Sequence, residues 1–598
     1  MSVPDSLPEI AAYGLIGDGR TAALCSSDGS IDWLCLPRFD SEPVFGRLVG
    51  GGRAGRFSIE VGGRVDTQRR YREGSAVLET VWTRPSAEVT LTEGMVLHVT
   101  GRLLPQALLV RRLESRGGSA PVRLIFDPKQ SLSGGDLRAA RRHGALVCTK
   151  GAMALALDTA PKLPIVPGRP LDVTVQPGAP LTLVLAMSDR QPLAFVDPEE
   201  AFRLLEATDR WWRAWASRIT YQGPLAGSVV RSLITLRLLT YSPSGAPVAA
   251  PTTSLPEDPG GVRNWDYRFA WPRDASIGAA AFMATGQTDE AHSFLHWLMV
   301  ASRLTRPRLQ VLYTLDGKPG TSEHAVLGAP GYRASRPVRT GNEAATQHQL
   351  DVYGWVVDAA WAIASAGIRL HPAMWRSVQG FADFVARTWR EKDAGIWEIR
   401  DLPAHHVHSK LMGWLALDRA VRIARSHRVR DRRVARWAAE RDAIADEVRA
   451  RGFDRGRNTY VRAFGSGDLD AALLILPVLE FDPATSAPVA GTIDAIRREL
   501  SAGGPLLYRY PVGTDGLEGG EGAFLPCSFW LVQALARVGR IAEAHSLFEE
   551  LCARGTDLGL YAEEMDPSTG QHLGNFPQAL THAALIQAAL SLQAASEG

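Results

Sequence analysis

The sequence has few cysteines, and they are scattered along the chain. The 598 residues contain five, and no two of them form a C-x-x-C pair: Cys25, Cys35, Cys148, Cys527 and Cys552. An odd number without paired spacing suggests neither a disulfide framework nor a zinc site. We therefore expect a chain that works in a reducing compartment.

Long apolar runs and an excess of one charge are also absent. No stretch approaches the ~18 uninterrupted apolar residues of a membrane span. The first residues, MSVPDSLPEIAAYG, lack a basic segment followed by an apolar one. The formal net charge is only +2, so no overall field favours nucleic acid or an anionic membrane. We expect a cytoplasmic protein that binds neither.

The length favours at least two domains, and the chain changes character near residue 200. Before that point, short alternating or β-branched runs are bounded by Gly, Pro, Asp and Ser: RFSIEV, AVLETVWTR, AEVTLTEGMVLHVT, ALLVRRLES, PVRLIF and LTLVLAMS. Many short strands at regular spacing predict an antiparallel β-sandwich over residues 1–197.

From Pro198 onward, apolar residues recur at helical spacing. The first such segment, residues 198–222, follows Asp197 and is predicted to be a linker helix. About a dozen further helical segments fill residues 223–598, with no strands predicted between them. Paired helices in this number favour a closed α/α barrel. A solenoid is the alternative, although no sequence repeat of fixed period supports it.

The ten residues WDYRFAWPRD, Trp265 to Asp274, combine four aromatic rings with four charged groups. This chemistry suits a sugar, because an aromatic ring covers its C–H face while Asp and Arg bracket neighbouring hydroxyls. Trp271 would be the platform, and Arg273 and Asp274 the clamp. An internal Arg–Asp salt bridge, with Asp274 as the N-cap of the following helix, remains the alternative. Similar combinations in three later loops favour the sugar site.

Two of those later loops contain candidate catalytic carboxyls. Glu398 in GIWEIR follows Trp397, and a carboxyl packed against an indole has a raised pKa, as a general acid requires. In YAEEMD, Glu563 and Glu564 are adjacent, so at least one is expected to point inward. If polar neighbours hold it ionised, it could activate a water. The two groups on opposite sides of a sugar would form an inverting pair.

Other catalytic patterns are missing from the sequence. It contains no G-x-S-x-G, Walker loop or H-E-x-x-H motif. His405, His406 and His408 have no acidic or Cys partner nearby, so we expect neither a metal nor a cofactor. The basic run SHRVRDRRVARW is interpreted as a solvated helix face.

At these loops the chain resembles glycoside hydrolase family 15, the glucoamylase and trehalase family, in its bacterial form with an N-terminal β-domain. Five segments after residue 250 carry the resemblance: PTTSLPEDPGGVRNWDYRFAWPRDAS, GNEAATQHQLDVYG, GIWEIR, EGAFLPCSFWLVQALARVGR and AEEMDPSTGQHLGNFPQALTH. The opening YGLIGDGRTAALCSSDGSIDWLCLPRFDS is similar to the β-domain of that group. The resemblance implies a multidomain β + α chain, with an antiparallel β-sandwich followed by an (α/α)6 barrel.

The resemblance also implies roles for individual residues in hydrolysis of an α-glucosidic bond with inversion, at the non-reducing end of a small glucoside. Glu398 matches the general acid and Glu563 the general base, with Glu564 the less favoured choice. Six more match substrate-binding positions: Tyr267, Trp271, Arg273, Asp274, Trp397 and Arg509.

Some positions depart from the family pattern. Pro272 replaces the residue expected between Trp and Arg, and Glu343 and the segment SEHAVLGAPGYRASRP are atypical. If these residues line the far side of the pocket, they affect which leaving group is accepted.

Trehalose, maltooligosaccharides and isomaltooligosaccharides are the substrates we expect, with trehalose slightly favoured. A sugar phosphorylase on the same fold and a non-catalytic sugar-binding barrel are the alternatives, and a homo-oligomer is possible. The β-domain loop at Arg38 and Asp40 is interpreted as a structural turn, with a reach into the pocket as the second possibility.

Overall fold

The computed structural model describes residues 7–63, 65–97, 107–400, 402–427 and 431–597. Parts of three sequence predictions lie outside these residues: positions 1–6 of the opening, 98–100 of the run AEVTLTEGMVLHVT and 428–430 of the basic run. In the described part of the chain, no helix is long and apolar enough to cross a membrane.

Two antiparallel sheets form the N-terminal part. Their strands are β1 Tyr13–Gly17, β2 Ala22–Ser26, β3 Ser30–Cys35, β4 Pro43–Phe45, β5 Arg56–Val61, β6 Asp66–Tyr71, β7 Leu78–Arg84, β8 Ala87–Met95, β9 Ala107–Arg116, β10 Ala120–Asp127, β11 Arg138–Arg142, β12 Ala145–Lys150, β13 Met153–Ala160, β14 Leu171–Val175 and β15 Leu181–Asp189. One sheet has the order β1-β2-β3-β5-β10-β14, with β4 beside β3, and the other β11-β12-β13-β15-β9-β8-β7-β6. The short helix α1, Arg47–Gly50, lies between β4 and β5. The predicted β-sandwich is confirmed.

A buried arginine connects the two sheets. Arg111 on β9 pairs with Glu93 on β8 at 2.9 Å, and neither side chain is exposed. The same guanidinium donates to the carbonyls of Phe57 and Gly29, both at 2.7 Å. Because Phe57 lies on β5 of the other sheet, these bonds fix one sheet against the other.

A helix follows the sandwich, and its start shows how the sequence sets it. The helix α2, Pro198–Ala216, has Pro198 in its first turn, and the carboxylate of Asp197 accepts from the backbone N–H groups of Glu199 and Glu200. It lies inside the segment 198–222 that the sequence assigns to a linker. The division into 1–197, 198–222 and 223–598 stays a prediction.

The remaining helices form two layers. They are α3 Ala226–Leu238, α4 Pro272–Ala284, α5 Thr288–Ala301, α6 Asp351–Ser365, α7 Pro372–Thr388, α8 Val407–Ser426, α9 Arg433–Arg451, α10 Leu476–Leu479, α11 Ala487–Glu499, α12 Leu525–Arg537, α13 Ile541–Cys552 and α14 Ala579–Glu597. The inner ring runs α4, α6, α8, α10 with its preceding 3₁₀ turn, α12 and α14, and α14 packs back against α4. The other six pack outside, so the predicted (α/α)6 barrel is confirmed.

One inner element differs from the predicted helix. The segment DAALLILPVLE forms a 3₁₀ helix, Ala471–Ile475, followed by the single α-helical turn of α10. Pro477 explains the break, since it has no N–H to continue an α-helix begun before it.

Short strands in the connecting loops complete the second half. They are β16 Thr240–Tyr241, β17 Ala246–Pro247, β18 Thr253–Pro256, β19 Asn264–Asp266, β20 His324–Ala325, β21 Arg339–Thr340, β22 Phe453–Asp454, β23 Thr459–Tyr460, β24 Ser501–Gly503, β25 Leu506–Leu507, β26 Ala523–Phe524, β27 Glu564–Met565 and β28 His572–Leu573. The pairs β18-β19 and β26-β27 fix the two loops that contain WDYR and YAEEMD.

The sandwich packs directly on the barrel. The buried Trp33 donates its Nε1–H to the carbonyl of Pro251 at 2.7 Å, and Arg268 donates to the carbonyl of Ser41 at 2.9 Å. These bonds tie the sandwich to the loop that leads into the candidate site.

Candidate active site

All eight predicted site residues line one pocket at the loop end of the barrel: Tyr267, Trp271, Arg273, Asp274, Trp397, Glu398, Arg509 and Glu563. The pocket contains about 810 Å³ of empty space, including its open mouth. That is within the size range of small-molecule sites, roughly 300–1,000 Å³. Arg38 and Asp40 are not among the lining residues. They pair with each other at 2.8 Å, and Arg38 also binds Asp316.

The floor of the pocket is the start of helix α4. The helix begins at Pro272 with Trp271 at the N-cap, so Asp274 is not the N-cap but lies in the first turn. A proline is favourable here because its missing N–H needs no partner. Arg273 and Asp274 are buried and paired at 2.6 Å. They therefore form an internal salt bridge and also line the pocket.

Glu398 lies beside this floor. Its Oε1 accepts the Nε1–H of Trp271 at 2.8 Å and is 3.6 Å from Arg273 Nη1. Its backbone has φ 58°, an uncommon conformation for a residue with a side chain. Burial raises the pKa of Glu398, although Arg273 and the Trp271 hydrogen bond oppose the shift. A raised pKa is what a general acid needs.

The indole that holds Glu398 is therefore that of Trp271. The sequence interpretation had assigned the raised pKa to packing against Trp397. The Nε1–H of Trp397 instead donates to Asp470 at 2.8 Å, and its ring packs against Phe524 and Trp530. Trp397 therefore lines the pocket wall, and these contacts hold its ring in place.

Glu563 is more deeply buried, at 2% exposure. Its Oε1 accepts the hydroxyl of Tyr267 at 2.7 Å, while its buried Oε2 has no partner among the described residues. Burial and the negative charge of Glu257 raise the pKa of Glu563 to about 8, against the opposing effects of Arg509 and Tyr267. The expectation that its neighbours hold Glu563 ionised stays a prediction.

The two carboxyls lie at the two ends of one aromatic pair. The rings of Tyr267 and Trp271 meet edge to face, with centroids 5.5 Å apart. Tyr267 binds Glu563 and Trp271 binds Glu398. The short segment from Tyr267 to Trp271 thus fixes two carboxyls that lie on different loops and far apart in the sequence.

Behind Glu563 lies a buried cluster of opposite charges. Arg509 pairs with Glu521 at 2.6 Å, with Glu564 at 3.1 Å and with Glu257 at 3.4 Å. Arg263 pairs with Asp515 at 2.6 Å in the same cluster. Glu564 also accepts from the backbone N–H of Gly522 and does not line the pocket. Arg509 therefore links the pocket wall to the cluster, while Glu563 alone of the adjacent pair faces the pocket.

The histidines of AHHVHSK lie at the start of helix α8 and just before it. No group of three or more potential ligands with metal-binding geometry occurs in the described part of the chain. His408 is 1% exposed on α8, and burial lowers its pKa to about 3. It is a neutral core histidine close to Trp355.

Sequence reasoning missed several residues that line the pocket. Glu257, Trp265, Asn342, Gln347 and Arg400 all do so. Gln347 donates to the backbone carbonyl of Glu398 at 3.0 Å, and Trp265 donates to Glu257 at 2.8 Å. The signal was present for Glu257 and Trp265, because both belong to the same motif as Trp271. Asn342, Gln347 and Arg400 likewise stand in the quoted motifs GNEAATQHQLDVYG and GIWEIR.

Comparison with known proteins identifies the family. The sequence profile of the family "Glycosyl hydrolases family 15" matches residues 223–590, and "Trehalase-like, N-terminal" matches residues 4–160. The chain belongs to glycosyl hydrolase family 15. It is a glycoside hydrolase, as the sequence resemblance predicted.

Its relatives in this family are similar over almost their whole length. The chain is 35% identical to a trehalase of Thermoplasma volcanium, over 99% of this chain and 94% of that one. It is 35% identical to a trehalase of Mycolicibacterium smegmatis, over 99% and 92%, and 34% identical to one of Mycobacterium tuberculosis, over 99% and 90%.

A solved structure shares the architecture of this family 15 chain. A bacterial glucoamylase complexed with acarbose superposes with a TM-score of 0.70 at 14% identity, covering 99% of this chain and 95% of that one. This likeness shows the fold, with both the β-sheets and the helical barrel.

Proposed function

We propose that this glycoside hydrolase is a trehalase that removes one terminal glucose with inversion of configuration. The observation that carries the proposal is the pair Glu398 and Glu563, each hydrogen-bonded to a different member of one aromatic pair in one pocket. The relatives named trehalase, similar over 99% of the chain, support trehalose as the glucoside.

In the proposed reaction, the terminal glucose lies on Trp271 with its hydroxyls held by Arg273, Asp274 and Arg509. Glu398 gives its proton to the glycosidic oxygen. Glu563 takes a proton from a water, whose oxygen bonds to the anomeric carbon while the bond to the leaving sugar breaks. One molecule of trehalose then gives one β-glucose and one α-glucose.

The reactive form contains one proton on the pair, and that proton is on Glu398. Loss of activity at low pH therefore reports protonation of Glu563, and loss at high pH reports ionisation of Glu398. Tyr267 and Arg509 favour the ionised form of Glu563, whereas burial and Glu257 oppose it.

The proposal is tested by measuring glucose release from trehalose, maltose and isomaltose. Trehalose is expected to be cleaved with the highest kcat/KM. Glu398→Gln and Glu563→Gln should each lower kcat on trehalose about 100- to 10,000-fold, the range for loss of a general acid or base. The exposed Glu343→Gln, next to the pocket-lining Asn342, is the matched control. Full activity in either of the first two variants would refute that residue's role, and release of glucose 1-phosphate with phosphate would replace hydrolysis by phosphorolysis.

A further inference from the structure

A charged group surrounds Trp265 at the open end of the pocket. The carboxylate of Glu323 binds Arg339 Nε and Arg400 Nη2, both at 2.8 Å. The guanidinium carbons of the two arginines lie 4.8 Å and 4.3 Å from the centre of the Trp265 indole. Glu323 comes from the segment SEHAVLGAPGYRASRP, which departs from the family pattern.

The two arginines differ in what else they bind. Arg339 also donates to the carbonyls of Val262 and Asn264, both at 2.8 Å, and only 12% of its side chain is exposed. Arg400 binds only Glu323 among the described residues, and 32% of its side chain is exposed. A guanidinium has five N–H donors. Arg339 is thus a structural support, whereas Arg400 retains N–H donors that have no partner among the described residues on a partly exposed side chain.

The position of Arg400 relative to Glu398 indicates which part of the substrate this charged group would contact. Both residues lie on one loop and line the same pocket, but Glu398 contacts the buried floor at Trp271 and Arg400 is at the exposed end. A general acid protonates the oxygen that joins two sugars. When one sugar occupies the floor, the other must therefore lie on the open side of Glu398, next to Arg400 and Trp265.

We propose that Glu323, Arg400 and Trp265 form the subsite for the leaving sugar, with Arg400 donating to its hydroxyls and Glu323 orienting Arg400. The proposal rests on the proposed function and adds the residues that select the leaving group. A planar guanidinium held by a carboxylate and an aromatic ring loses little freedom when it binds. Hydroxyl oxygens accept its N–H donors, and the second glucose of trehalose offers several of them.

The test compares two substrates whose leaving groups both need the acid. Trehalose releases a sugar, whereas phenyl α-D-glucopyranoside releases phenol, which has no sugar hydroxyls. In Arg400→Ala, the ratio of kcat/KM for trehalose to kcat/KM for the phenyl glucoside should fall about 10- to 100-fold, the effect of losing hydrogen bonds from a charged donor. In Glu323→Gln the same ratio should fall less, because Arg400 remains but is no longer held.

The chain offers a matched control away from the pocket. Arg390 lies 4.1 Å from the centre of the Trp389 ring and pairs with Glu440 at 2.8 Å, the same kind of group on the surface. Arg390→Ala should leave the ratio unchanged. Arg400→Lys, which retains the charge but not the planar fork, should lower the ratio and serves if Arg400→Ala does not fold.

Two results would overturn the subsite. A ratio within twofold of the original protein in Arg400→Ala or Arg400→Lys would show that the leaving sugar does not use this residue. An equal fall for both substrates, with a shifted pH profile, would instead assign Arg400 to holding Glu398. If the unaltered protein cleaves no α-glucoside, the proposed function fails before the subsite is tested.

Discussion

At the scale of single residues, the two proposed catalytic carboxyls share an unusual environment. Burial raises the pKa of both Glu398 and Glu563, the latter to about 8. An ordinary Glu has a pKa of about 4.3. Glu563 must be ionised to accept a proton, so the acid limb of the kcat/KM profile should lie well above that value, toward pH 8. A pH series on trehalose checks this, and a profile with its lower limb near pH 4 would contradict it.

Tyr267 is predicted to keep Glu563 reactive. Its hydroxyl donates to Glu563 Oε1 at 2.7 Å, which favours the ionised form. In Tyr267→Phe the pKa of Glu563 should rise, so the acid limb moves to higher pH and kcat falls roughly 10- to 100-fold. Tyr353→Phe, on the same barrel but outside the pocket, is the control.

Glu257 is predicted to act in the opposite direction. Its negative charge raises the pKa of Glu563, so Glu257→Gln should lower that pKa and move the acid limb to lower pH. Opposite shifts in Glu257→Gln and Tyr267→Phe would identify the limb as belonging to Glu563. Shifts of the same sign in both variants would show that the limb reports another group.

The residue scale also shows what the sequence could not predict. The eight proposed site residues stand in motifs, and all of them line the pocket. Glu323 stands in no such motif. Its contact with Arg400 joins positions 77 residues apart, so it is set by the packing of two loops and not by local pattern.

At the scale of secondary-structure elements, the buried pair of Arg111 and Glu93 holds the two sheets together. Glu93→Gln would leave the Arg111 charge buried without its partner, which costs about 3–5 kcal/mol. The free energy of unfolding of the sandwich, measured in denaturant, should fall by that amount, while kcat on trehalose stays unchanged. A loss below about 1 kcal/mol would show that the carbonyls of Phe57 and Gly29 satisfy the arginine alone.

Periodicity predicted most elements because burial and period go together. In the first five residues of β10, buried and exposed positions alternate, and the buried residues of α2 recur at spacings of three and four, as at Ala201, Leu204 and Leu205. The 3₁₀ helix Ala471–Ile475 was not predicted. Its residues form a continuous apolar run, and such a run has no period that distinguishes a 3₁₀ helix from an α-helix.

At the scale of the whole molecule, no described residue of the sandwich lines the pocket, but the sandwich supports the pocket floor. Arg268 pairs with Asp266 at 2.7 Å and donates to the Ser41 carbonyl of the sandwich at 2.9 Å. These residues are next to Tyr267. The different hydrophobic periods of the two parts of the chain predicted a sandwich and a helical barrel. A contact between the two parts joins distant residues and leaves no local pattern in the sequence. Whether the protein forms a homo-oligomer stays a prediction.

Arg268→Lys tests this support. The lysine retains the charge but cannot bind Asp266 and Ser41 together. We expect kcat on trehalose to fall about 10-fold through displacement of Tyr267, with KM changed less. Arg123→Lys, an exposed arginine of the sandwich paired with Asp172, should change neither. Equal kcat in the two variants would show that the contact between Arg268 and the sandwich does not affect activity.

The most direct test of the central claim is the anomeric form of the first glucose released from trehalose, followed by proton NMR before the anomers equilibrate. Inversion by Glu398 and Glu563 predicts α-glucose and β-glucose in equal amounts at the start, because only the glucose that is attacked changes configuration. Release of α-glucose alone would mean retention, and the two carboxyls would then not act as a general acid and a general base on opposite sides of the sugar.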